Sequence, residues 1–268
     1  MIDICFNLDE EYINPCKVLI RGIEETTDEE ITFHFIGIKE TDMGTKSKCC
    51  FYEKPDLSYF LEENLTDYYY FTQAAMYRLL IPFLIPVDKA LYMDIDIVVL
   101  KDIKTLWDKE VDLIGAVVDP CSMFRIKKLG VEADKYYNSG VILFNSKKIR
   151  EQMPNYKKRI LTAQKIYDLT LKDQDILNIV FQDHITTLGY EFNLDSHNLK
   201  EEGEPEEVSK AKDKANNDPT LVHCMGQKKW WDVEGLPFGA CWDKVARKYI
   251  PEKRKKCVIK ESMYIIRN

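Results

Sequence analysis

Apolar and polar positions alternate along this chain in two rhythms, and their order predicts an α/β domain. "IDICFN" near the start and "ITFHFIGI" (31–38) have the short, apolar, β-branched character of buried strands. Between them "NPCKVLIRGIEE" reads as a helix with Pro15 in its first turn, where a missing N–H costs little. A helix is predicted over "FTQAAMYRLLIP" (71–82), capped by Thr72 and stopped by Pro82. "ALYMDI" running on into "IVVL", then "LIGAVV" (113–118) and "GVILFN" (140–145), are the expected centre of the sheet. "KKIREQMPNYKKRILTAQ" is helical but broken near Pro154, and "DQDILNIVF" (173–181) is a helix whose Asp173 can cap its own N-terminus. The polar stretch 200–219 lacks apolar anchors and reads as a long surface loop or lid, after which "TLVHC" is one more buried strand.

At 268 residues, 45% hydrophobic and 31% charged, the chain can bury a substantial core within one large domain, and no internal repeat divides it. "MIDICFNLDE" has no basic leader and no apolar run approaches about 20 residues, so a cytoplasmic protein is expected. The eight cysteines show no C-x-x-C spacing and read as reduced, mostly buried thiols. The net charge is −7, yet from Trp242 onward nine Lys and Arg face three acids, with "KRKK" at 253–256. A solvated helix face or peripheral contact with an anionic membrane accounts for that tail, and nothing points to nucleic acid.

One stretch breaks the apolar pattern. "LYMDIDIVVL" (91–100) sets Asp94 and Asp96 inside a run otherwise fit for a sheet interior. Residues two apart on a strand face one side, so the two carboxylates are expected to point together. Like charges that close repel unless a cation intervenes, and magnesium, manganese or calcium with hard oxygen ligands is the simplest resolution. The competing reading leaves both acids in solvent or paired with Lys and Arg; the apolar flanks favour the metal. A calcium EF-hand is excluded, because its third acidic position and its glycine are missing.

Two chemistries place D-x-D after an apolar strand. In haloacid-dehalogenase-type phosphatases the first acid, here Asp94, is a nucleophile toward phosphorus; in nucleotide-sugar glycosyltransferases both acids hold a metal on a diphosphate. The phosphatase would require a second acidic cluster downstream of G-D-x-x-x-D type, which is absent. The last strand instead delivers His223 in "HCMGQKKWW", an imidazole suited to the same metal, with Gly226 free to let backbone approach phosphate and Lys229 to bring positive charge. Trp230 and Trp231 fit packing and sugar stacking equally well.

"ICFNLDEEY", "YRLLIP", "LYMDIDIVVLKDIKTLW", "YYNSGVILFN", "KDQDILN" and "HCMGQKKWW", in this order, resemble the bacterial members of glycosyltransferase family 8, which include lipopolysaccharide galactosyl- and glucosyltransferases, with glycogenin as a distant cousin. The resemblance covers about the first 235 residues. It implies a GT-A fold, a Rossmann-like mixed sheet flanked by helices in a catalytic domain over 1–240, followed by a basic helical tail over 241–268. It implies manganese- or magnesium-dependent transfer of a hexose, with retention, from UDP-galactose or UDP-glucose to a saccharide or glycolipid acceptor. Asp94, Asp96 and His223 then match the metal ligands, and Gly226 and Lys229 the diphosphate contacts. Leu8, Asp9 and Tyr12 match the contacts to uracil and ribose, and Arg78 an arginine that reaches sugar and phosphate. Asn138, Gly140, Asp173 and Gln174 match the groups around the donor sugar, while Asp119 falls where the family approaches the acceptor. Two departures are local: only "KETDMGTKSK" joins the second strand to the third, and Trp230 stands where a proline is usual. A catalytically idle sugar-nucleotide binder is the alternative from another class.

Overall fold

The computed structural model of the chain describes residues 1–57, 73–226 and 228–249. The described elements run β1 (Ile2–Asn7), α1 (Ile13–Thr26), β2 (Ile31–Ile36), β3 (Lys48–Tyr52), α2 (Gln73–Met76), α3 (Ile81–Leu84), β4 (Ala90–Met93), β5 (Ile97–Val99) and α4 (Lys104–Trp107). They continue with β6 (Ile114–Val118), α5 (Ser122–Leu129), β7 (Tyr137–Phe144), α6 (Ser146–Gln152), α7 (Tyr156–Ile166) and α8 (Asp173–Phe181). The last are β8 (Ile185–Leu188), β9 (Leu194–Asp195), α9 (Glu206–Asn217), β10 (Leu221–His223) and α10 (Gly239–Tyr249).

Seven strands form one mixed sheet in the order β3-β2-β1-β4-β7-β6-β8. β1 is parallel to both β2 and β4, whereas β7 runs antiparallel to β4 and β6. The central strands read as unbroken apolar runs because each alternates between two cores. Tyr92, Ile142 and Phe144 enter one, with Ile149, Ile160, Ile176 and Phe181 from α6, α7 and α8. Leu91, Met93, Val141 and Leu143 enter the other, beneath Leu19, Ile20 and Ile23 of α1. After β1 the chain builds β2 and β3 on one side, then returns to lay β4 on the other. That reversal opens a crevice at the carboxyl ends of β1 and β4, where ligands bind in open α/β sheets.

Several expectations are corrected. The run from Ala90 to Val99 is two strands, not one: β4 ends at Met93, and β5 joins a separate three-stranded sheet in the order β5-β10-β9. Asp94 and Asp96 occupy the crossing between the sheets, so their convergence comes from the turn and not from strand alternation. Pro82 does not stop a helix; the chain tightens to a 3-10 turn over Tyr77–Leu80, and Pro82 sits in the first turn of α3. Lys172, at φ +42°, precedes α8, and the Asp173 side chain does not cap it. The stretch 200–219 is mostly helix α9, polar on nearly every face, with Lys212 and Ala215 turned inward. Cys5, Cys16 and Cys224 are buried, but Cys49, Cys50, Cys121 and Cys241 are partly exposed. Helix α10 ties to α1 through Lys248 and Tyr249, which both donate to Glu25. Thr72, Cys257 and the "KRKK" cluster lie outside the described residues. Among the described residues no helix is long and apolar enough to cross a membrane.

Candidate metal centre and donor cleft

The crevice between β1 and β4 holds a cleft of about 240 Å³ lined by Asn7, Asp9, Tyr12, Ala74, Ala75, Arg78, Tyr92, Asp94, Ile95, Asp96, Lys229 and Trp231. Asp94, Asp96 and His223 meet at its base, with one ligand atom of each within 4.8 Å of the others. β10 pairs antiparallel with β5, setting His223 opposite Ile97, directly after Asp96. His223 Nε2 lies 3.2 Å from Asp96 and 3.8 Å from Asp94. Gly140 permits this approach: a Cβ there would fall 2.2 Å from His223 Cε1.

Basic side chains also pair with the two acids, as the competing sequence reading expects. Arg78 Nη2 lies 3.1 Å from Asp94, and the Tyr92 hydroxyl donates to Asp94 at 2.5 Å. Lys229 donates to Asp96 and, at 2.9 Å, to the Cys224 carbonyl. Burial would raise the Asp96 pKa, but His223 and Lys229 hold it well below the usual carboxylate range. Burial would lower His223 and Lys229, and Asp96 instead holds both above their ordinary values. The donor set fits a divalent ion: two hard carboxylates and one imidazole converge, with a cleft beside them open to further oxygen ligands.

A second polar layer runs from this centre beneath the sheet. Arg78 Nη1 donates to the Ser139 carbonyl at 2.7 Å and to its hydroxyl at 3.0 Å, and Arg78 Nε lies 3.1 Å from Asp173. Burial lifts the Asp173 carboxyl to about 6, although Arg78 opposes the shift. Gln174 Oε1 accepts from the Ser139 N–H at 2.9 Å and lies 3.3 Å from its hydroxyl, while its Nε2 donates to Asp119 at 3.1 Å. Asn138 also donates to Asp119, at 3.3 Å. Thus Asp119, Asn138, Gly140, Asp173 and Gln174, drawn from β7, α8 and the end of β6, form one buried constellation adjoining the metal centre.

The remaining expected residues are more scattered. Asp9 and Tyr12 line the opposite wall, where Tyr12 meets Trp231 edge-on at 6.5 Å and burial pushes its phenol up to about 12. Leu8 is wholly buried, and its N–H is engaged by the Ile36 carbonyl at 2.9 Å. Gly226 has φ +100° with open space where a Cβ would project. Trp230 is buried and donates to the Pro237 carbonyl, a packing role; only Trp231 reaches the cleft. Sequence reasoning passed over Asn7, Tyr92, Ser139 and Asn193. Asn7 follows the alternation of β1 into the cleft, and both of its amide atoms are buried without a partner among the described residues. A ligand with both a donor and an acceptor would satisfy it.

A family model described as "Glycosyl transferase family 8" matches residues 3–235. The chain belongs to glycosyl transferase family 8. General stress protein A of Bacillus subtilis (strain 168) is 29% identical over 181 residues, covering 63% of this chain and 63% of that protein. Glycosyltransferase GlyB of Streptococcus pneumoniae serotype 4 is 30% identical over 177 residues, covering 63% of this chain and 41% of its own length. The chain thus spans less than two thirds of either relative. An active-site mutant of LgtC matches with a TM-score of 0.78 at 22% identity, over 95% of this chain and 99% of that one. Galactosyltransferase LgtC in complex with donor and acceptor sugar analogs matches at a TM-score of 0.73 with the same identity and coverage. The fold of this family 8 member is therefore GT-A, with the small β5-β10-β9 sheet beside the cleft.

Proposed function

We propose that the chain transfers a hexose, glucose or galactose, from a UDP-sugar to a saccharide or glycolipid acceptor, with retention and with the help of manganese or magnesium. The observation that carries this reading is the convergence of Asp94, Asp96 and His223 at the base of a cleft that also presents Arg78 and Lys229. Those three side chains would hold a divalent ion, which would supply positive charge at a diphosphate leaving group. Lys229, now on Asp96, is within reach of the same charge, and fixed cations in a water-poor site are usually the largest contribution to such catalysis. Tyr12, Asp9 and the unpaired Asn7 amide offer a wall of suitable chemistry for a nucleoside.

Retention is best served by transfer on one face of the sugar, with the leaving phosphate taking the acceptor's proton. A double displacement would need a free nucleophile. Asp173 is engaged by Arg78 and the Gln174 oxygen by Ser139, and an amide oxygen is in itself a poor nucleophile. In this reading the Gln174 amide stabilises the oxocarbenium-like centre, and Asp119, to which its Nε2 donates, belongs to the approach of the acceptor.

The test is hydrolysis and transfer across a panel of UDP-sugars with manganese. Asp96→Asn is expected to lower turnover at least about 100-fold, the loss typical of a misplaced electrostatic stabiliser. Unchanged turnover in that variant would sink the metal role. Tight UDP binding with no sugar release would favour the idle binder, and phosphate release from simple phosphomonoesters without nucleotide the phosphatase. Against the phosphatase, the one candidate metal cluster among the described residues is completed by a histidine and not by further acids.

A further inference from the structure

We infer that Asn193 is a positioning residue that fixes the tautomer of His223 and so presents Nε2 to a metal; the inference rests on the metal reading above. It follows from hydrogen-bond polarity alone. The Gly140 backbone N–H, which can only donate, lies 2.8 Å from Asn138 Oδ1, so that atom is the oxygen of its amide. The Asn193 atom 2.8 Å from the same oxygen must therefore be its NH₂. The other end of the Asn193 amide is then oxygen, and it lies 3.0 Å from His223 Nδ1. An oxygen can only accept, so Nδ1 carries a hydrogen; Nε2 faces the Asp96 and Asp94 carboxylates at 3.2 and 3.8 Å, so any hydrogen there is the one that a metal held by the same carboxylates would displace.

Burial and shape reinforce the assignment. Asn193 is 2% exposed and both ends of its amide are engaged, so reversing it would set NH₂ against ring nitrogen and oxygen against oxygen. The ring cannot swing away on its other side, because Gly140 lies against it closely enough that a Cβ would overlap Cε1. The partner that selects the tautomer of a ligating histidine commonly governs metal affinity as strongly as the ligand's own placement.

Titrating the full chain with Mn²⁺ alone, followed by electron paramagnetic resonance, tests the role. Asn193→Ala is expected to weaken Mn²⁺ binding about 10- to 100-fold. ¹⁵N NMR of the wild-type chain saturated with diamagnetic Mg²⁺, which takes the place of any hydrogen on Nε2, is expected to show the hydrogen on Nδ1, a measurement that does not require the variant to fold. A wild-type ring with its hydrogen on Nε2 would overturn the assignment, as would a folded Asn193→Ala variant that binds Mn²⁺ like wild type. If the wild-type chain bound no Mn²⁺ while its Nδ1 carried the hydrogen, the metal reading would fall and the positioning role with it; the tautomer alone would stand.

Discussion

Asp173 illustrates how a single side chain couples this site to pH. Its carboxyl is buried against Arg78 and lifted to about 6. Between the ordinary aspartate value near 4 and that value, the folded chain keeps a proton that the unfolded chain has released, so raising the pH across this window favours unfolding. Relative to Asp173→Asn, wild type should lose on the order of 3 kcal/mol between pH 4 and pH 6 and change little above. Thermal unfolding of the two proteins across that range measures it, and parallel pH profiles would contradict it. At this scale the sequence was most informative where chemistry alone identifies a residue: paired acids in an apolar run and a histidine ending a strand need little context. Asn193 and Ser139 were not legible, because their roles lie in which atom of an amide or hydroxyl faces which neighbour. No periodicity encodes that across the 30 residues between Asn193 and His223.

At the scale of elements, α9 is the clearest lesson. "EEVSKAKDKANN" is rich in good helix formers, yet it has no apolar stripe, and the stripe is what a pattern reading looks for. The helix is anchored instead by an ion pair: Lys212 and Glu204 are 5% and 7% exposed, and Lys212 also donates to the Leu199 carbonyl at 3.1 Å. Removing one partner of a buried pair strands the other, so Lys212→Ala should cost about 3–5 kcal/mol. In a domain of this size that lowers the melting temperature by roughly 6–20 °C, visible by calorimetry. Replacing both partners, as in Lys212→Met with Glu204→Leu, should recover much of the loss; equal destabilisation in the double variant would count against the pair. The break between β4 and β5 escaped pattern reading for the opposite reason: both halves are apolar, and only the pairing partners reveal that they serve different sheets.

For the whole molecule, the arrangement of charge implies that a metal at the proposed centre would act as a ligand and not as a structural support. Asp94 and Asp96 are already matched by Arg78, Lys229 and His223, so removing metal leaves no uncompensated buried charge. Chelation with EDTA should therefore leave the circular dichroism and the cooperative unfolding transition in place, lowering the melting temperature only by the lost binding contribution, while abolishing UDP-sugar turnover. Manganese at about 100 times its dissociation constant should add about 2.7 kcal/mol of stability. Collapse of the helical signal on chelation would show the centre to be structural. The α/β class and the succession of the main strands along the chain were legible because apolar runs survive any topology; their order in the sheet was not, and neither was the second sheet, since two- and three-residue strands leave too short a pattern. That small sheet has a thermodynamic consequence. Asp96 and Lys229 are separated by 133 residues, and closing a loop of that length costs about 4 kcal/mol of chain entropy. Pairing β10 with β5 closes it as the chain folds, so an arriving ion meets a site already assembled and spends its affinity on coordination instead of on gathering distant parts of the chain.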